Sequence, residues 1–198
     1  MTRKPYEISS MLELIGKRVL LREFTSDHLH DPAYFRWLRD LEVVIPIYRT
    51  EYLLPLHFDQ VIAYVESLWK SGKDCLFAVH DRTTGAFVGT QRIGHIDWRS
   101  GVGDIGVLIG ERQVWGRGIA TEAVSIACEH AFQILSLRRL TGGTPASNEA
   151  MCRCFKRLGF EEEGRLREQL LIRGKYEDHV LFGLLKDRFK KVGDKVLY

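Results

Sequence analysis

The chain has 198 residues, 45% of them hydrophobic and 28% charged, a composition typical of a globular domain and not of a disordered segment. Its 29 basic and 26 acidic side chains leave a formal net charge of +3, too small an excess to predict a nucleic-acid-binding protein. We therefore expect a single domain over residues 1–198, with residues 1–15 as a candidate loosely ordered N-terminal extension.

Metal and membrane functions also find no support in the sequence. The cysteines, Cys75, Cys128, Cys152 and Cys154, include no C-x-x-C pair, so we expect reduced structural thiols and no metal site. No apolar run has the length of a membrane span, and residues 1–10 lack the apolar core of a signal peptide. We expect a cytoplasmic protein that binds neither membrane nor nucleic acid, with a homodimer as an open alternative.

The first part of the chain predicts one strand and two helices. The apolar run at residues 17–24 is typical of a strand, and Asp31-Pro32 is a typical helix start. Residues 43–55 contain two prolines and are predicted to form a loop. Apolar residues then recur at helical spacing from Phe58 to Trp69, and Gly72 is expected to end that helix.

The second part predicts an antiparallel meander followed by alternating helices and strands. Strands are expected at residues 75–80, 87–97 and 104–109, separated by tight turns. A long helix over residues 119–134 precedes a strand at 139–144, a helix at 149–158 stopped by Gly159, and strands near 160–172 and 178–185. This order predicts an α/β fold of the α+β type: a mostly antiparallel, mixed sheet of about seven strands with about four helices on its faces.

A glycine-containing loop, Gln113-Val114-Trp115-Gly116-Arg117-Gly118, joins the third meander strand to the long helix. Free N–H groups in the first helical turn, together with close backbone approach at glycine, favour a bound phosphate. A P-loop would need a G-K-[ST] ending, and a dinucleotide fold would need a third glycine. The acyl-CoA pyrophosphate pattern Q/R-x-x-G-x-G/A matches at every fixed position, while an ordinary turn into a buried helix is the alternative.

The segment from Asp104 to Ala123 (DIGVLIGERQVWGRGIATEA) resembles the cofactor motif of the GNAT superfamily, the GCN5-related N-acetyltransferases. The stretches NEAMCRCFKRLGF and GKYEDHVLFG are similar to later parts of its RimJ/RimL-like branch. The resemblance extends over residues 18–189 and implies the GNAT fold, with a splay between the middle strands. It also implies an acyl-CoA N-acyltransferase of the EC 2.3.1 type that uses acetyl-CoA as co-substrate and needs no metal.

The resemblance assigns the cofactor to the splayed strand, the glycine loop and two later positions. The pantetheine arm would pair with the strand, the pyrophosphate would lie on the loop and the first helical turn, Asn148 would meet the arm, and Phe155 would lie beside the thioester. The implied cofactor-binding residues are Val107, Leu108, Ile109, Gln113, Val114, Trp115, Gly116, Arg117, Gly118, Ile119, Ala120, Asn148 and Phe155.

Two positions depart from the family pattern, because Phe155 stands where many members have tyrosine and Met151 where the branch often has serine. Neither side chain can protonate the leaving thiolate, so we expect solvent to do so. The candidate catalytic residues are Asp104, which matches an acidic position at the start of the splayed strand, and Tyr176 at the acceptor site. Both also have ordinary structural explanations, as do Asp178, His95 and His179.

The expected reaction is direct attack of a primary amine on the thioester of acetyl-CoA. The acceptor could be a protein N-terminus, an amino sugar, a polyamine or an antibiotic amine, and the resemblance favours the first two. The segment from Tyr34 to Leu41 lacks the acidic cluster that a polyamine would favour, and its aromatic residues Tyr34, Phe35 and Trp37 could line the acceptor pocket or simply pack. The alternative function is a CoA-binding regulatory module of the same fold without turnover.

Overall fold

A computed structural model describes residues 12–48 and 55–192 of the chain. Its described part contains one sheet of eight strands, in the order β1-β2-β3-β4-β5-β6-β8-β7. The strands are β1 Glu13–Ile15, β2 Val19–Glu23, β3 Cys75–Asp81, β4 Phe87–Asp97, β5 Val102–Ile109, β6 Arg139–Pro145, β7 Glu161–Ile172 and β8 Lys175–Leu185. Only the β5–β6 pair is parallel, so the predicted mixed and mostly antiparallel sheet is confirmed.

Helices cover the two faces of this sheet in separate groups. They are α1 Ser26–His30, α2 Pro32–Leu38, α3 Leu41–Val44, α4 Phe58–Ser71, α5 Ile119–Gln133 and α6 Glu149–Leu158. Helices α5 and α6 bury one face in the larger core, which contains Phe132, Phe155 and Phe182. Helices α1–α4 bury the other face around Phe24 and Trp37.

The predicted helix boundaries follow local capping chemistry. The Asp31 carboxylate accepts a hydrogen bond from the N–H of Ala33 at 2.8 Å, and Pro32 occupies the first helical position of α2. Gly72 ends α4 in the left-handed conformation (φ 63°), as the sequence predicts.

Three features of the N-terminal third differ from the sequence expectation. Glu13–Ile15 is strand β1, paired antiparallel with β2, although it lies within the candidate extension. Ser26–His30 is a short helix that the pattern did not predict. The predicted loop at residues 43–55 begins with helix α3, capped by Asp40 and packed through the buried Val43 and Val44, and residues 49–54 lie outside the described part.

Candidate active site

The sheet opens between β5 and β6, as the expected splay requires. The two strands share three pairs, Val102–Arg139, Gly103–Leu140 and Asp104–Thr141. Beyond Asp104, β5 pairs with β4 on its other side, and β6 continues along β8. One edge of β5, over residues 105–109, therefore faces a gap in the sheet.

A cleft of about 320 Å³ occupies this gap. Its walls come from both faces of the fold: from α2 and α4 on one side, from α6 on the other, and from β4, β5 and β6 between them. The lining residues are Tyr34, Leu38, Pro46, Ile47, Tyr64, Leu76, Thr90, Arg92, His95, Asp104, Ile105, Gly106, Val107, Leu108, Gly143, Thr144, Asn148, Met151 and Phe155. An elongated ligand can thus reach both the β5 edge and the helices of the α1–α4 face.

The glycine loop lies where β5 leads into α5. Gly116 (φ 75°) and Gly118 (φ 79°) are both left-handed, and a Cβ at either position would meet nothing within 4 Å. Gly118 is the N-cap of the 15-residue helix α5 and supplies no side-chain cap to its first N–H groups. The first turn of α5 therefore presents N–H groups and the positive end of the helix dipole to open space, which fits a pyrophosphate.

Trp115 ties this loop to the splayed strand. Its indole Nε1–H donates to the carbonyl oxygen of Ile109 at 2.8 Å, and the guanidinium carbon of Arg112 lies 5.8 Å from the centre of its ring. This hydrogen bond joins the glycine loop to the end of β5.

Asn148 and Phe155 line the cleft from α6. Asn148 is the N-cap of that helix: its Oδ1 accepts from the N–H of Met151 at 3.1 Å, and its Nδ2 donates to the carbonyl of Pro46 at 3.0 Å. The buried Phe155 ring packs against Phe160 and Phe182. Phe155 and Met151 thus present apolar atoms, with no proton donor, to the cleft.

Of the two candidate catalytic residues, the structure places Asp104 in the cleft lining. It stands at the last β5–β6 pair, where its Oδ2 accepts from the hydroxyl of Thr141 at 3.3 Å. Tyr176 is 70% exposed near the β7–β8 turn and is not among the lining residues. Its catalytic role stays a prediction.

Several other residues considered from the sequence receive a structural explanation. Asp178 anchors the irregular part of β7: the N–H of Glu168 donates to it at 3.0 Å, which lowers the pKa of its carboxyl below the usual range. His179 belongs to the interior of the sheet, where it pairs with Pro145 of β6 and Leu166 of β7, and burial lowers the pKa of its imidazole. Trp37 is 2% exposed and packs on Phe87, with ring centres 4.9 Å apart, so it is a core residue.

Sequence reasoning missed the polar residues that β4 contributes to the cleft, chiefly Thr90 and Arg92. The Arg92 guanidinium is held by Asp74, whose Oδ1 accepts from Nε at 2.8 Å. Burial acts to raise the pKa of Asp74, but hydrogen bonds from Ser71 and Arg92 outweigh it and leave that pKa below the usual value. The meander was predicted, but no local pattern marks which of its faces borders the gap.

Neither a metal centre nor a membrane-spanning segment emerges from the described ranges. No group of three or more histidine, cysteine or acidic side chains within residues 12–48 and 55–192 is arranged to hold a metal ion. No helix of those ranges combines the length and the apolar character needed to cross a bilayer.

A family model and several known proteins match this chain. The acetyltransferase (GNAT) domain model matches residues 18–161. The uncharacterized N-acetyltransferase p20 of Bacillus licheniformis is 30% identical over 129 residues, 65% of this chain and 72% of p20. The [ribosomal protein uS5]-alanine N-acetyltransferase of Escherichia coli is 25% identical over 141 residues, 70% of this chain and 72% of the relative.

Among solved structures, spermidine N-acetyltransferase from Vibrio cholerae, in complex with CoA and spermine, superimposes with a TM-score of 0.77. The match covers 86% of this chain and 97% of that one at 19% identity, which establishes a shared fold. The chain therefore belongs to the acetyltransferase (GNAT) domain family. The predicted fold and the predicted class, an acetyl-CoA-dependent N-acetyltransferase, are confirmed.

Proposed function

We propose that this enzyme transfers the acetyl group of acetyl-CoA to the primary amine of a protein N-terminus or an amino sugar. The observation that carries the proposal is the continuous cleft through the sheet. It lies along the open edge of β5 and extends to residues of the α1–α4 face. The glycine loop follows β5 along the chain but does not line this cleft. Two substrates can therefore enter from opposite faces and meet inside the gap.

The cofactor would be bound chiefly through backbone groups. The first turn of α5 and the glycine loop, residues 113–120, would hold the pyrophosphate, and the pantetheine arm would add to the open edge of β5 at Val107, Leu108 and Ile109. Phe155 would supply an apolar wall, and Asn148 would hold α6 and the Pro46 segment in place at the cleft. Bound there, acetyl-CoA supplies an activated acyl group.

The residues of the acceptor end would position the amine. Among the described residues that line the cleft, Asp104 is the one carboxylate. A negative charge at this point would attract a single ammonium group and guide it towards the gap. A polyamine, with several ammonium groups, would gain less from this lining, which supports acceptors with one amine.

An acceptor panel tests the proposal. Thiol release from acetyl-CoA is measured with a short peptide bearing a free N-terminus, glucosamine and spermidine, and mass spectrometry locates the acetyl group on the product. N-terminally blocked peptide and N-acetylglucosamine serve as matched controls. We expect turnover with the free peptide or with glucosamine and none with the blocked forms. Preferred turnover of spermidine, or acetyl on a hydroxyl, would contradict the proposed acceptor class.

A further inference from the structure

Strand β4 carries one extra residue opposite the splayed strand. Gly94 pairs with Asp104 and Asp97 pairs with Val102, so two residues of β4 stand opposite one residue of β5. This arrangement is a β-bulge, a device that changes the direction of a side chain and occurs often beside active sites. The bulge lies where the β5–β6 pairing ends and the cleft begins.

The extra residue directs His95 into the cleft. In an unbroken strand, side chains alternate between faces, so His95 would share the core face with Ile93. Instead, Ile93 and Ile96 are both buried in the core against α5, while His95 is exposed and lines the cleft. Its backbone has φ 49°, a conformation that disfavours residues other than glycine. The chain thus presents an imidazole at a position where glycine would be less strained.

The strained position is held from the segment between α4 and β3. The N–H of His95 donates to Asp74 Oδ1 at 3.3 Å, and the N–H of Ile96 donates to the carbonyl of Lys73 at 2.9 Å. Asp74 also holds Arg92, so one buried carboxylate fixes both the bulge and the neighbouring cleft residue. The imidazole therefore extends from a fixed backbone.

We infer that His95 is the general base that takes a proton from the ammonium form of the acceptor. The inference rests on the proposed function and goes further by naming the group that generates the nucleophile. Imidazole suits this role because it changes charge near neutral pH, whereas a carboxylate is a much weaker base. Asp104, across from Gly94, attracts the ammonium group, and His95 accepts its proton.

The proton balance is complete without another reagent. The acceptor ammonium gives one proton to the imidazole, which releases it to solvent at the exposed mouth of the cleft. The free amine nitrogen then forms the C–N bond as the C–S bond breaks. Its second proton leaves as the amide forms, and the thiolate takes up one proton from solvent. The net products are the acetamide, the CoA thiol and one proton.

The charged groups around His95 come from three elements. Asp104 lies on β5, Arg92 lies on β4 with the histidine, and Asp74 lies between α4 and β3. Arg92 and Asp74 form an ion pair with each other, and Asp104 is the carboxylate that lines the cleft together with His95. Removing the Asp104 charge should weaken acceptor binding, whereas removing the imidazole should change the dependence of catalysis on pH.

The test compares His95→Gln, His95→Gly and Asp104→Asn with the wild-type enzyme. The pH profile of kcat/KM is measured with two acceptors of different amine pKa, taken from whichever class, peptide or amino sugar, turns over in the acceptor panel. The titration of the acceptor is thereby separated from that of the enzyme. Ser136→Gly is the matched control, because Ser136 is also a left-handed residue (φ 56°) but lies after α5, outside the cleft lining. Thermal melting is recorded for every variant.

We expect both His95 variants to lose about a hundredfold or more in kcat/KM. They should also lose the acid limb of the pH profile that belongs to the enzyme, which is the fall of kcat/KM at low pH that does not follow the pKa of the acceptor. His95→Gly should melt at or above the wild-type temperature because it relieves the positive φ, and Ser136→Gly should keep full activity. Asp104→Asn should raise KM and retain the acid limb. Wild-type turnover with unchanged rates in both His95 variants would overturn the role of His95 alone. Absence of wild-type turnover would reject the proposed function, and the inference with it.

Discussion

Replacing Gly118 by alanine is expected to weaken acetyl-CoA binding directly, in addition to lowering the stability of the fold. Gly118 is left-handed (φ 79°), so alanine there should cost about 1 kcal/mol of folding free energy. Its Cβ would meet no protein atom within 4 Å, so the chain itself can accommodate the methyl group. The methyl group would instead occupy the space in front of the first turn of α5, where we place the pyrophosphate. We expect affinity to fall at least tenfold, about 1.4 kcal/mol.

Gly85→Ala provides the matched control. Gly85 has φ 73° and the same open surroundings, but it lies in the turn between β3 and β4 and does not line the cleft. Both variants should lose similar melting temperature, and only Gly118→Ala should lose affinity in calorimetric titration with acetyl-CoA. Equal affinities for the two folded variants would refute the placement of the pyrophosphate on this loop.

Two further predictions concern stability. Burial lowers the pKa of His130 to about 4 from 6.5. The native state therefore binds fewer protons than the unfolded chain below pH 6.5. The contribution of His130 to the free energy of unfolding is fully present above about pH 6.5, and about 3 kcal/mol of it is lost as the pH falls to 4. His130→Phe should flatten this slope in urea titrations at pH 7 and pH 4.5, and an unchanged slope would show that other groups cause it. Asp74→Asn should lower the free energy of unfolding by about 2 kcal/mol, because it breaks the ion pair with Arg92. The Asp74 side chain is 7% exposed and the Arg92 side chain 16% exposed. Glu66→Gln, which breaks the exposed ion pair with Lys70, should lower the free energy of unfolding by less than about 1 kcal/mol. Equal losses of stability in the two variants would show that burial does not set the contribution of the pair.

Local sequence patterns predicted most elements of the fold because their causes are local. Asp31-Pro32 starts α2, Gly72 ends α4, and apolar periodicity marks α5. Short elements that depend on distant partners were missed. Strand β1 exists through its pairing with β2, and α3 packs through Val43 and Val44 although the surrounding prolines favour a loop.

The cofactor half of the site was more predictable than the acceptor half, for a physical reason. A phosphate-binding loop needs glycines at fixed spacing, and Gly116 and Gly118 show this in the sequence. The acceptor end is assembled from α2, α4, β4 and β6, which meet only in the folded protein. His95 enters the cleft through a one-residue bulge, and strict alternation along β4 would have assigned it to the core.

A crystal structure of the complex would show whether acetyl-CoA binds in the opening between β5 and β6. We expect the pyrophosphate on the N–H groups of residues 113–120 and the pantetheine arm paired with residues 107–109. We also expect the thioester beside Phe155, with its carbonyl reached from the side of Asp104 and His95. A cofactor bound outside this gap, or an arm that leaves the β5 edge unpaired, would refute this binding mode.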